Sequence, residues 1–211
     1  MQAPLCALLE DSRLWRAGRQ GHAWPTLPSG HPQLDALLPG GGWPAARLTE
    51  IAVERWGSGE LALFMPLLAK LCAAGGEQAG SWIAWIAPPF LPYAPALAAA
   101  GVDLARLLLV HAGDDGESLW ATEQALRSGA CRAVLAWAGR ADGRQLRRLQ
   151  LAAESGRAPL ILFRPPGALA GPSPAALRLR LAAGADGACL QLVKHRGGTP
   201  AALPAAAFRV S

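Results

Sequence analysis

The sequence has no apolar run long enough to cross a membrane, because charges, prolines or glycines interrupt every stretch of about 18 residues. Its beginning, Met1-Gln2-Ala3-Pro4 followed by Glu10-Asp11, lacks the pattern of a signal peptide. The four cysteines are scattered without a C-x-x-C pair, and the histidines lie far from them. These absences disfavour a membrane helix and a zinc site, and they predict a cytoplasmic protein with reduced, buried thiols.

A second absence concerns phosphate binding. A P-loop has the pattern G-x-x-x-x-G-K-[ST], in which backbone N–H groups cradle the phosphates, the lysine neutralises them and the hydroxyl holds Mg²⁺. Before and after Gly59, Glu54 replaces the first glycine, Glu60 replaces the lysine and Leu61 replaces the hydroxyl residue. A carboxylate about 4 Å from a phosphate oxygen repels it by roughly 4 kcal/mol at an effective dielectric constant of 20. We therefore expect no nucleotide cofactor at this degenerate loop.

Catalytic signatures are absent as well. The triplet Gly57-Ser58-Gly59 is not the G-x-S-x-G elbow of hydrolases. The densest group of potentially catalytic side chains, His111–Ser118, follows a predicted strand, where active sites of α/β proteins often lie. However, Asp115 and Glu117 also suit the start of a helix, where carboxylates cap N–H groups and oppose the helix dipole. We expect a protein that is not an enzyme, with no catalytic residue and no metal site.

Length and apolar content predict one α/β domain. A chain of 211 residues that is 52% hydrophobic can bury about 70% of its unfolded surface. Short apolar runs, typical of strands buried on both faces, alternate with helical segments and predict a mostly parallel sheet flanked by helices. The expected strands are Leu48–Val53, Trp82–Ile86, Leu107–Val110, Ala133–Trp137 and Leu160–Phe163; the expected helices are Gly59–Ala74, Pro92–Ala100, Glu117–Ser128 and Ala141–Ser155.

The N-terminal part predicts a helical arm. Apolar residues fall on one helical face over Pro4–Arg16, and Gly18–Pro28 is a linker rich in glycine and proline. We therefore expect residues 1–28 to form an arm and linker, and residues 29–211 to form the core domain.

The C-terminal part predicts an antiparallel hairpin. Leu177-Arg178-Leu179-Arg180-Leu181 alternates strictly, which directs three leucines to the core and two arginines outward. Leu190–Lys194 has the same alternation, and Gly184–Gly187 lies between them as a turn. We expect this hairpin to close the edge of the sheet, with the outward arginines protecting an edge strand or binding an anionic partner.

Several motifs, in their order and spacing, resemble the core of the RecA-type recombinases. They are Ser29-Gly30-His31-Pro32-Gln33-Leu34-Asp35, Leu37-Leu38-Pro39-Gly40-Gly41-Gly42-Trp43-Pro44, Arg47-Leu48-Thr49-Glu50-Ile51, Pro92-Tyr93-Ala94, Ala100-Gly101-Val102-Asp103, Gly116-Glu117 and Leu126-Arg127-Ser128-Gly129-Ala130. The resemblance implies a RecA-like fold whose Walker B aspartate is lost, with Trp137 in its place. It also implies that an N-terminal element can pack on a neighbouring subunit.

One branch of that superfamily is more similar. The segments Leu14-Trp15-Arg16-Ala17, Trp24-Pro25-Thr26-Leu27-Pro28-Ser29-Gly30, Trp85-Ile86-Ala87-Pro88-Pro89, Leu119-Trp120-Ala121-Thr122-Glu123-Gln124-Ala125-Leu126-Arg127-Ser128-Gly129 and Phe163-Arg164-Pro165 look like those of ImuA proteins. ImuA proteins are RecA-like accessory factors of SOS-induced translesion DNA synthesis. The resemblance implies an adaptor that binds an inactive Y-family polymerase-like protein, an error-prone replicative-type polymerase and also RecA.

A second resemblance is to SulA, the SOS-induced division inhibitor. It shares the middle of the pattern and also lacks a P-loop, but it is shorter and lacks the Ser29–Pro44 motif. This resemblance implies an alternative function, the inhibition of cell division by binding a tubulin-like GTPase.

The charge of the chain is divided by position. Residues 1–131 carry 8 basic and 12 acidic side chains, whereas residues 132–211 carry 12 basic and 3 acidic ones. The asymmetry favours contact of the C-terminal third with DNA or an acidic partner, although arginine enrichment in a GC-rich genome produces the same bias. The candidates on the helix over Ala141–Ser155 and on the predicted hairpin are Arg140, Arg144, Arg147, Arg148, Arg178, Arg180, Lys194 and Arg196.

Tryptophan is unusually frequent, with eight residues against one tyrosine. Trp43 and Trp56 lie beside the lost phosphate site, where they fill it or form an exposed contact for a partner. Residues of the predicted arm are candidates for self-association or for docking a RecA-like partner. The candidate partner-binding residues are Leu8, Leu14, Trp15, Trp24, Trp43 and Trp56.

Overall fold

The computed structural model describes residues 24–74, 82–184, 187–195 and 201–202. The predicted helix over Pro4–Arg16, with its candidates Leu8, Leu14 and Trp15, lies outside these residues, as does Arg196.

The described chain forms a mixed α/β fold around an eight-stranded sheet in the order β10-β9-β8-β3-β7-β6-β4-β5. Strands from β8 to β5 are parallel to their neighbours, whereas β9 and β10 are antiparallel. The strands are β1 Thr26–Leu27, β2 Trp43–Pro44, β3 Leu48–Val53, β4 Trp82–Ile86, β5 Leu107–Val110, β6 Cys131–Trp137, β7 Leu160–Arg164, β8 Leu177–Gly184, β9 Gly187–His195 and β10 Ala201–Ala202. The helices are α1 Pro32–Asp35, α2 Met65–Ala73, α3 Ala94–Ala99, α4 Asp115–Arg127 and α5 Gly143–Gly156, with short 3₁₀ turns at Leu104–Arg106 and Pro166–Ala170.

The predicted mostly parallel sheet with a C-terminal hairpin is confirmed. Its central strands are buried on both faces, because successive side chains point to opposite sides and both sides are covered. On one face Ile51, Trp85 and Phe163 pack with Leu67 and Leu68 of α2. On the other face the core contains Leu48, Ile86 and Val134 together with Leu119 and Leu126 of α4 and Leu146 and Leu149 of α5.

The helix predicted from Gly59 begins six residues later, at Met65. Gly57 and Gly59 have φ angles of +78° and +99°, outside the helical region. Pro66 lies at the second position of α2, where its missing N–H is tolerated; deeper in a helix its ring would clash with the preceding turn. Glycine before and proline within the segment therefore move the start of the helix away from the loop.

The outward orientation predicted for the two hairpin arginines is wrong for Arg178. β8 is not an edge strand, because it pairs with β3 on one side and β9 on the other, so edge protection does not explain its arginines. Leu177, Leu179 and Leu181 face the core as predicted. Arg178 points to the opposite side, but the 3₁₀ turn and Gly171 cover that side, and only 5% of the residue is exposed.

The last residues of the predicted linker pack against the core. Trp24 is buried under the guanidinium of Arg47, whose Cζ lies 5.4 Å from the ring centroid. β1 pairs with β2 in a separate two-stranded sheet. The N–H of Ser29 donates to Asp35 at 2.8 Å and fixes the entry to α1.

Candidate functional site

A groove of about 280 Å³ opens at the carboxyl ends of β4 and β6, next to the loop that follows β3. Crevices at the carboxyl ends of parallel strands are the usual ligand sites of open α/β sheets. The structure brings together four positions that the sequence assigned to the lost nucleotide site, although they come from two distant segments. The loop contributes Gly59, Glu60 and Leu61, and the end of β6 contributes Trp137.

Glu60 turns its carboxylate back onto its own loop. Its Oε1 accepts a hydrogen bond from the N–H of Gly57 at 2.9 Å, and only 3% of the residue is exposed. A loop N–H that could face an anion is thereby bonded to an internal carboxylate. Oε2 of Glu60 is buried and has no hydrogen-bond partner among the described residues.

Trp137 forms the floor of the groove. Its ring stacks on Phe163 with centroids 4.8 Å apart and meets Trp85 edge to face at 6.0 Å. The indole nitrogens of Trp85 and Trp137 are both buried without a hydrogen-bond partner in the described part of the chain. The indole nitrogens of Trp24 and Trp43, which do not line the groove, are in the same state, so this feature does not distinguish the groove.

An exposed apolar wall completes the groove. The segment Pro88-Pro89-Phe90-Leu91-Pro92-Tyr93 follows β4, and its Phe90, Leu91 and Tyr93 are 62%, 79% and 72% exposed. Contiguous apolar surface of this kind is uncommon unless it contacts something. Three prolines restrict the backbone of the wall, so its shape is largely fixed before any contact.

The residue before this wall is strained. Ala87 has a φ angle of +54°, a conformation that costs an L-residue other than glycine about 1–2 kcal/mol. Its N–H donates to the carbonyl of Val110 on β5 at 2.7 Å, which holds the turn in place. Strained residues of this kind often mark functional sites.

The loop also lacks the helix that favours phosphate. In a P-loop the helix starts at the loop, so that its N-terminal N–H groups and dipole point at the phosphates. Here α2 begins only at Met65, beyond a series of turns. The geometry of the backbone, as well as the side chains, therefore disfavours a nucleotide at the groove.

The arginines of α5 form an exposed stripe, as the spacing of Arg144, Arg147 and Arg148 predicts. Arg140 lies exposed just before the helix. Arg148 is already paired with Glu123, which Arg127 also contacts at 2.9 Å. The stripe thus leaves Arg140, Arg144 and Arg147 as the more available cations for an anionic partner.

The basic residues of the C-terminal hairpin are less accessible to DNA or an acidic partner than those of α5. Arg178 is buried and therefore cannot contact DNA in this structure, which corrects the prediction. Arg180 is half-buried on the same strand. The backbone of Lys194 is described in β9, but its side chain, like all of Arg196, lies outside the described atoms.

Two of the tryptophan candidates are core residues and not exposed contacts. Trp43 is 1% exposed because it packs against Phe64 at 4.7 Å, and it does not line the groove. Trp24 is buried beneath Arg47. Trp56 is half-buried against the same core cluster and is the most accessible of the three.

A buried charge cluster, which the sequence analysis missed, connects β3, β7 and β8. The two carboxylate oxygens of Glu50 each lie 2.9 Å from an arginine nitrogen, one in Arg164 and the other in Arg178. Arg178 also donates to the carbonyls of Gly171 and Ala168 at 2.9 and 3.0 Å. A glutamate inside the fully buried strand Leu48–Val53 is the signal that could have revealed a buried cation nearby.

The His111–Ser118 group has structural roles. Asp114 caps α4 by accepting from the N–H of Glu117 at 2.9 Å. Asp115 accepts from the N–H groups of Gly139 and Arg140 at 2.6 and 2.9 Å, which joins α4 to the loop after β6. The predicted capping of this helix by a carboxylate is confirmed, but the capping residue is Asp114 and not Asp115 or Glu117.

The remaining candidate chemistry is sparse. Cys72 and Cys131 are free and buried, and burial raises the pKa of the Cys131 thiol, so it stays protonated near neutral pH. Within residues 24–74, 82–184, 187–195 and 201–202, no group of three or more histidine, cysteine or acidic side chains could hold a metal ion. Among those same residues no helix is long and apolar enough to span a bilayer.

The fold and the groove define a mixed α/β protein with a mostly parallel sheet and an apolar, carboxylate-containing crevice at its strand ends. Comparison with known proteins gives its family. The model of the family "Cell division inhibitor SulA" matches residues 50–159. The chain belongs to this ImuA/SulA-like family.

Curated relatives fall in both branches of the family. "Protein ImuA" from two strains of Caulobacter vibrioides is 33% identical over 156 residues, which are 71% of this chain and 62% of that protein. "Cell division inhibitor SulA" from Edwardsiella piscicida is 36% identical over 113 residues, 53% of this chain and 64% of the relative. The chain therefore spans about 62% of the length of the ImuA relatives it matches.

Among solved structures, the crystal structure of SulA from Pseudomonas aeruginosa is 30% identical, covering 57% of this chain and 98% of that one with a TM-score of 0.45.

Proposed function

We propose that this protein is a non-catalytic, RecA-like accessory factor of SOS-induced translesion DNA synthesis that acts by binding other proteins. The observation that carries the proposal is the groove at the lost nucleotide site. Glu60 bonds its own loop, Trp137 stands at the end of β6, and α2 starts too late to face a phosphate. A site with these properties suits an apolar contact better than a nucleotide.

The similarity to ImuA supports the choice of process. By that similarity, the partners are an inactive Y-family polymerase-like protein, an error-prone replicative-type polymerase and RecA. The strand order and the crevice at the strand ends support the RecA-like description. The chain matches only part of each ImuA relative, so these partners belong to the proposal.

A SulA-like function is the second candidate, since the SulA family model and a SulA relative both match. In that case the protein would inhibit division by binding a tubulin-like GTPase. The Ser29–Pro44 segment favours the ImuA-like function, because it lies before the residues that the SulA model matches. It is part of the folded core here, with Leu34 and Leu38 buried.

The test is a pull-down with the purified full chain against four baits: the polymerase-like protein, the error-prone polymerase, RecA and the tubulin-like division protein. We expect capture of the polymerase-like protein with and without ATP. Capture of the division protein alone would favour the SulA-like function. Capture of none of the four would contradict both functions.

The predicted arm can be tested in the same assay. Serine at both Leu14 and Trp15 in the full chain should weaken capture if the arm docks a partner. Serine at the exposed Leu151 of α5 is the matched control. Equal capture by both variants would remove the arm from the proposal.

Direct DNA contact is a separate part of the proposal. Arg140, Arg144 and Arg147 are exposed near the start of α5. Each phosphate contact adds about 0.9 to the slope of log K against log salt on duplex DNA. Replacing both Arg144 and Arg147 by glutamine should therefore lower the slope by about 1.8 in fluorescence anisotropy. An unchanged slope would exclude this stripe as the DNA contact.

A further inference from the structure

The groove combines three features that need a ligand of mixed character. Glu60 is the only charged side chain among the described residues that line it, and it is a carboxylate. Its buried Oε2 has no donor among the described residues. The exposed side chains of Phe90, Leu91 and Tyr93 present an apolar surface beside these groups.

We propose that the groove docks an arginine side chain carried on an apolar, extended segment of a partner protein. The guanidinium carries donors only, is weakly hydrated and stacks on aromatic faces, so it suits a carboxylate surrounded by aromatic rings. Among the described residues, no basic side chain lines the groove to compete for Glu60. Charge complementarity therefore selects a cation, and the aromatic lining selects arginine over lysine.

The exposed apolar wall beside Glu60 indicates that the ligand is a side chain on a peptide and not a free amine. A free amine satisfies Glu60 but offers nothing to the exposed side chains of Phe90, Leu91 and Tyr93. A peptide adds neighbouring apolar side chains that can cover this wall. At about 280 Å³ the groove lies just below the range of about 300–1,000 Å³ typical of drug-sized ligands, which suits one side chain and its adjoining backbone.

The wall of the groove has a largely fixed shape, which favours binding of the partner segment. Phe90 lies close to Gly57 of the loop, since a Cβ added at that glycine would be 3.4 Å from the Phe90 ring. Loop and wall therefore approach each other beside the groove, and the prolines restrict movement of the wall. A preorganised site loses little entropy on binding.

The inference rests on the proposed function, because it specifies the ligand of the same groove, but its experiment uses no polymerase, so the two proposals can fail separately. Four pools of biotinylated hexapeptides carry arginine, lysine, glutamine or glutamate at the third position, with the other positions randomised among leucine, valine, phenylalanine, proline, alanine and serine. Binding to the immobilised full chain is measured for each pool. We expect the arginine pool to bind at least about tenfold more tightly than the glutamine pool, the lower part of the range for desolvated charge pairs.

The variants locate the binding. Glu60→Gln keeps an acceptor for the Gly57 N–H but removes the charge, so it should abolish the preference for arginine. Replacing both Phe90 and Tyr93 by serine, at exposed positions where folding is little affected, should weaken every pool that binds. Leu151→Ser, at an exposed apolar position on α5, is the control outside the groove and should change nothing.

A second readout reports on the indoles. In a ¹H–¹⁵N spectrum, the arginine pool should shift the Nε1–H signals of Trp85 and Trp137, assigned with Trp85→Phe and Trp137→Phe. Equal binding of all pools, or an arginine preference that survives Glu60→Gln, would overturn the proposal. Competition by ATP would indicate a nucleotide as the occupant, and concentration-dependent self-association lost in Glu60→Gln would indicate a second copy; either result would also overturn it.

Discussion

The interior of the sheet and the groove at its strand ends each hold a buried carboxylate, but in different surroundings. On the face covered by α4 and α5, Glu50 has an arginine nitrogen 2.9 Å from each of its oxygens. In the loop at the carboxyl ends of the strands, Glu60 has one oxygen bonded to the N–H of Gly57 and the other without a partner among the described residues. The first arrangement pairs a carboxylate with two cations inside the fold. The second leaves a carboxylate without a cation among the groove's described residues, beside an exposed apolar wall, which is the pattern of a site that binds something.

The largest effect should come from removing the paired carboxylate. Glu50→Gln leaves Arg164 and Arg178 buried without a counter-charge, and we expect a loss of about 3–5 kcal/mol in the free energy of unfolding. Urea denaturation followed by tryptophan fluorescence measures the loss. A change below about 1 kcal/mol would show that the cluster is not a stabilising unit.

The control replaces the whole cluster. Leucine at Glu50 together with methionine at Arg164 and Arg178 removes all three charges and keeps apolar volume. Because buried ion pairs replaced by apolar groups are often no less stable, this triple variant should lose less stability than Glu50→Gln alone.

The same chemical change in the groove should have a much smaller effect. Glu60→Gln retains an acceptor for the N–H of Gly57 and replaces an unpaired charged oxygen by a neutral group. We expect the free energy of unfolding to stay within about 1 kcal/mol of the parent protein or to rise. A loss comparable to that of Glu50→Gln would mean that Glu60 is structural, and it would remove the contrast between the two carboxylates.

A smaller effect should come from the strained turn. Ala87→Gly removes the cost of a φ angle of +54° in the folded state, about 1–2 kcal/mol. It also stabilises the unfolded chain by roughly 0.4–1 kcal/mol, because glycine has more backbone conformations than alanine. The net expectation is a stabilisation of about 0.5 kcal/mol, measured by urea denaturation. Ala96→Gly, at an exposed position within α3, should instead destabilise the protein. Destabilisation by both would show that Ala87 is not strained.

The last prediction is that restoring P-loop side chains leaves ATP binding unchanged. Restoring two P-loop residues with Glu60→Lys and Leu61→Thr should not create ATP binding, because α2 still begins at Met65 and Trp137 still lines the groove. Titration with a fluorescent ATP analogue measures this. Micromolar binding by the double variant would show that the side chains alone decide nucleotide binding, and that the late start of the helix is irrelevant.

Local patterns predicted much of the sheet. Leu48–Val53, Trp82–Ile86 and Leu107–Val110 are strands within the predicted bounds, since continuous apolar runs of this length between helical segments leave few alternatives. The start of α2 is later than predicted. Proline is tolerated in the first turn of a helix, so Pro66 is compatible with a start at Met65 and not with one at Gly59.

Features that depend on distant segments were less predictable. Arg178 alternates with leucines like a solvent-facing residue, but the turn at Pro166–Ala170 and Gly171 cover it. The sequence identified Glu60 and Trp137 as replacements in a lost site, and the structure places both in one groove. The role of Phe90, Leu91 and Tyr93 as its wall was missed, because three apolar residues in a proline-rich loop have no periodicity that distinguishes an exposed wall from a buried turn.

The prolines of that wall also limit how it can be recognised. Pro88, Pro89 and Pro92 have no amide hydrogen, so an incoming chain cannot pair with this segment as an additional β-strand, which requires donors at regular intervals. Any complex formed at the wall must therefore be specified by side chains. Its sequence requirements should accordingly be strict at the few positions that enter the groove and loose elsewhere.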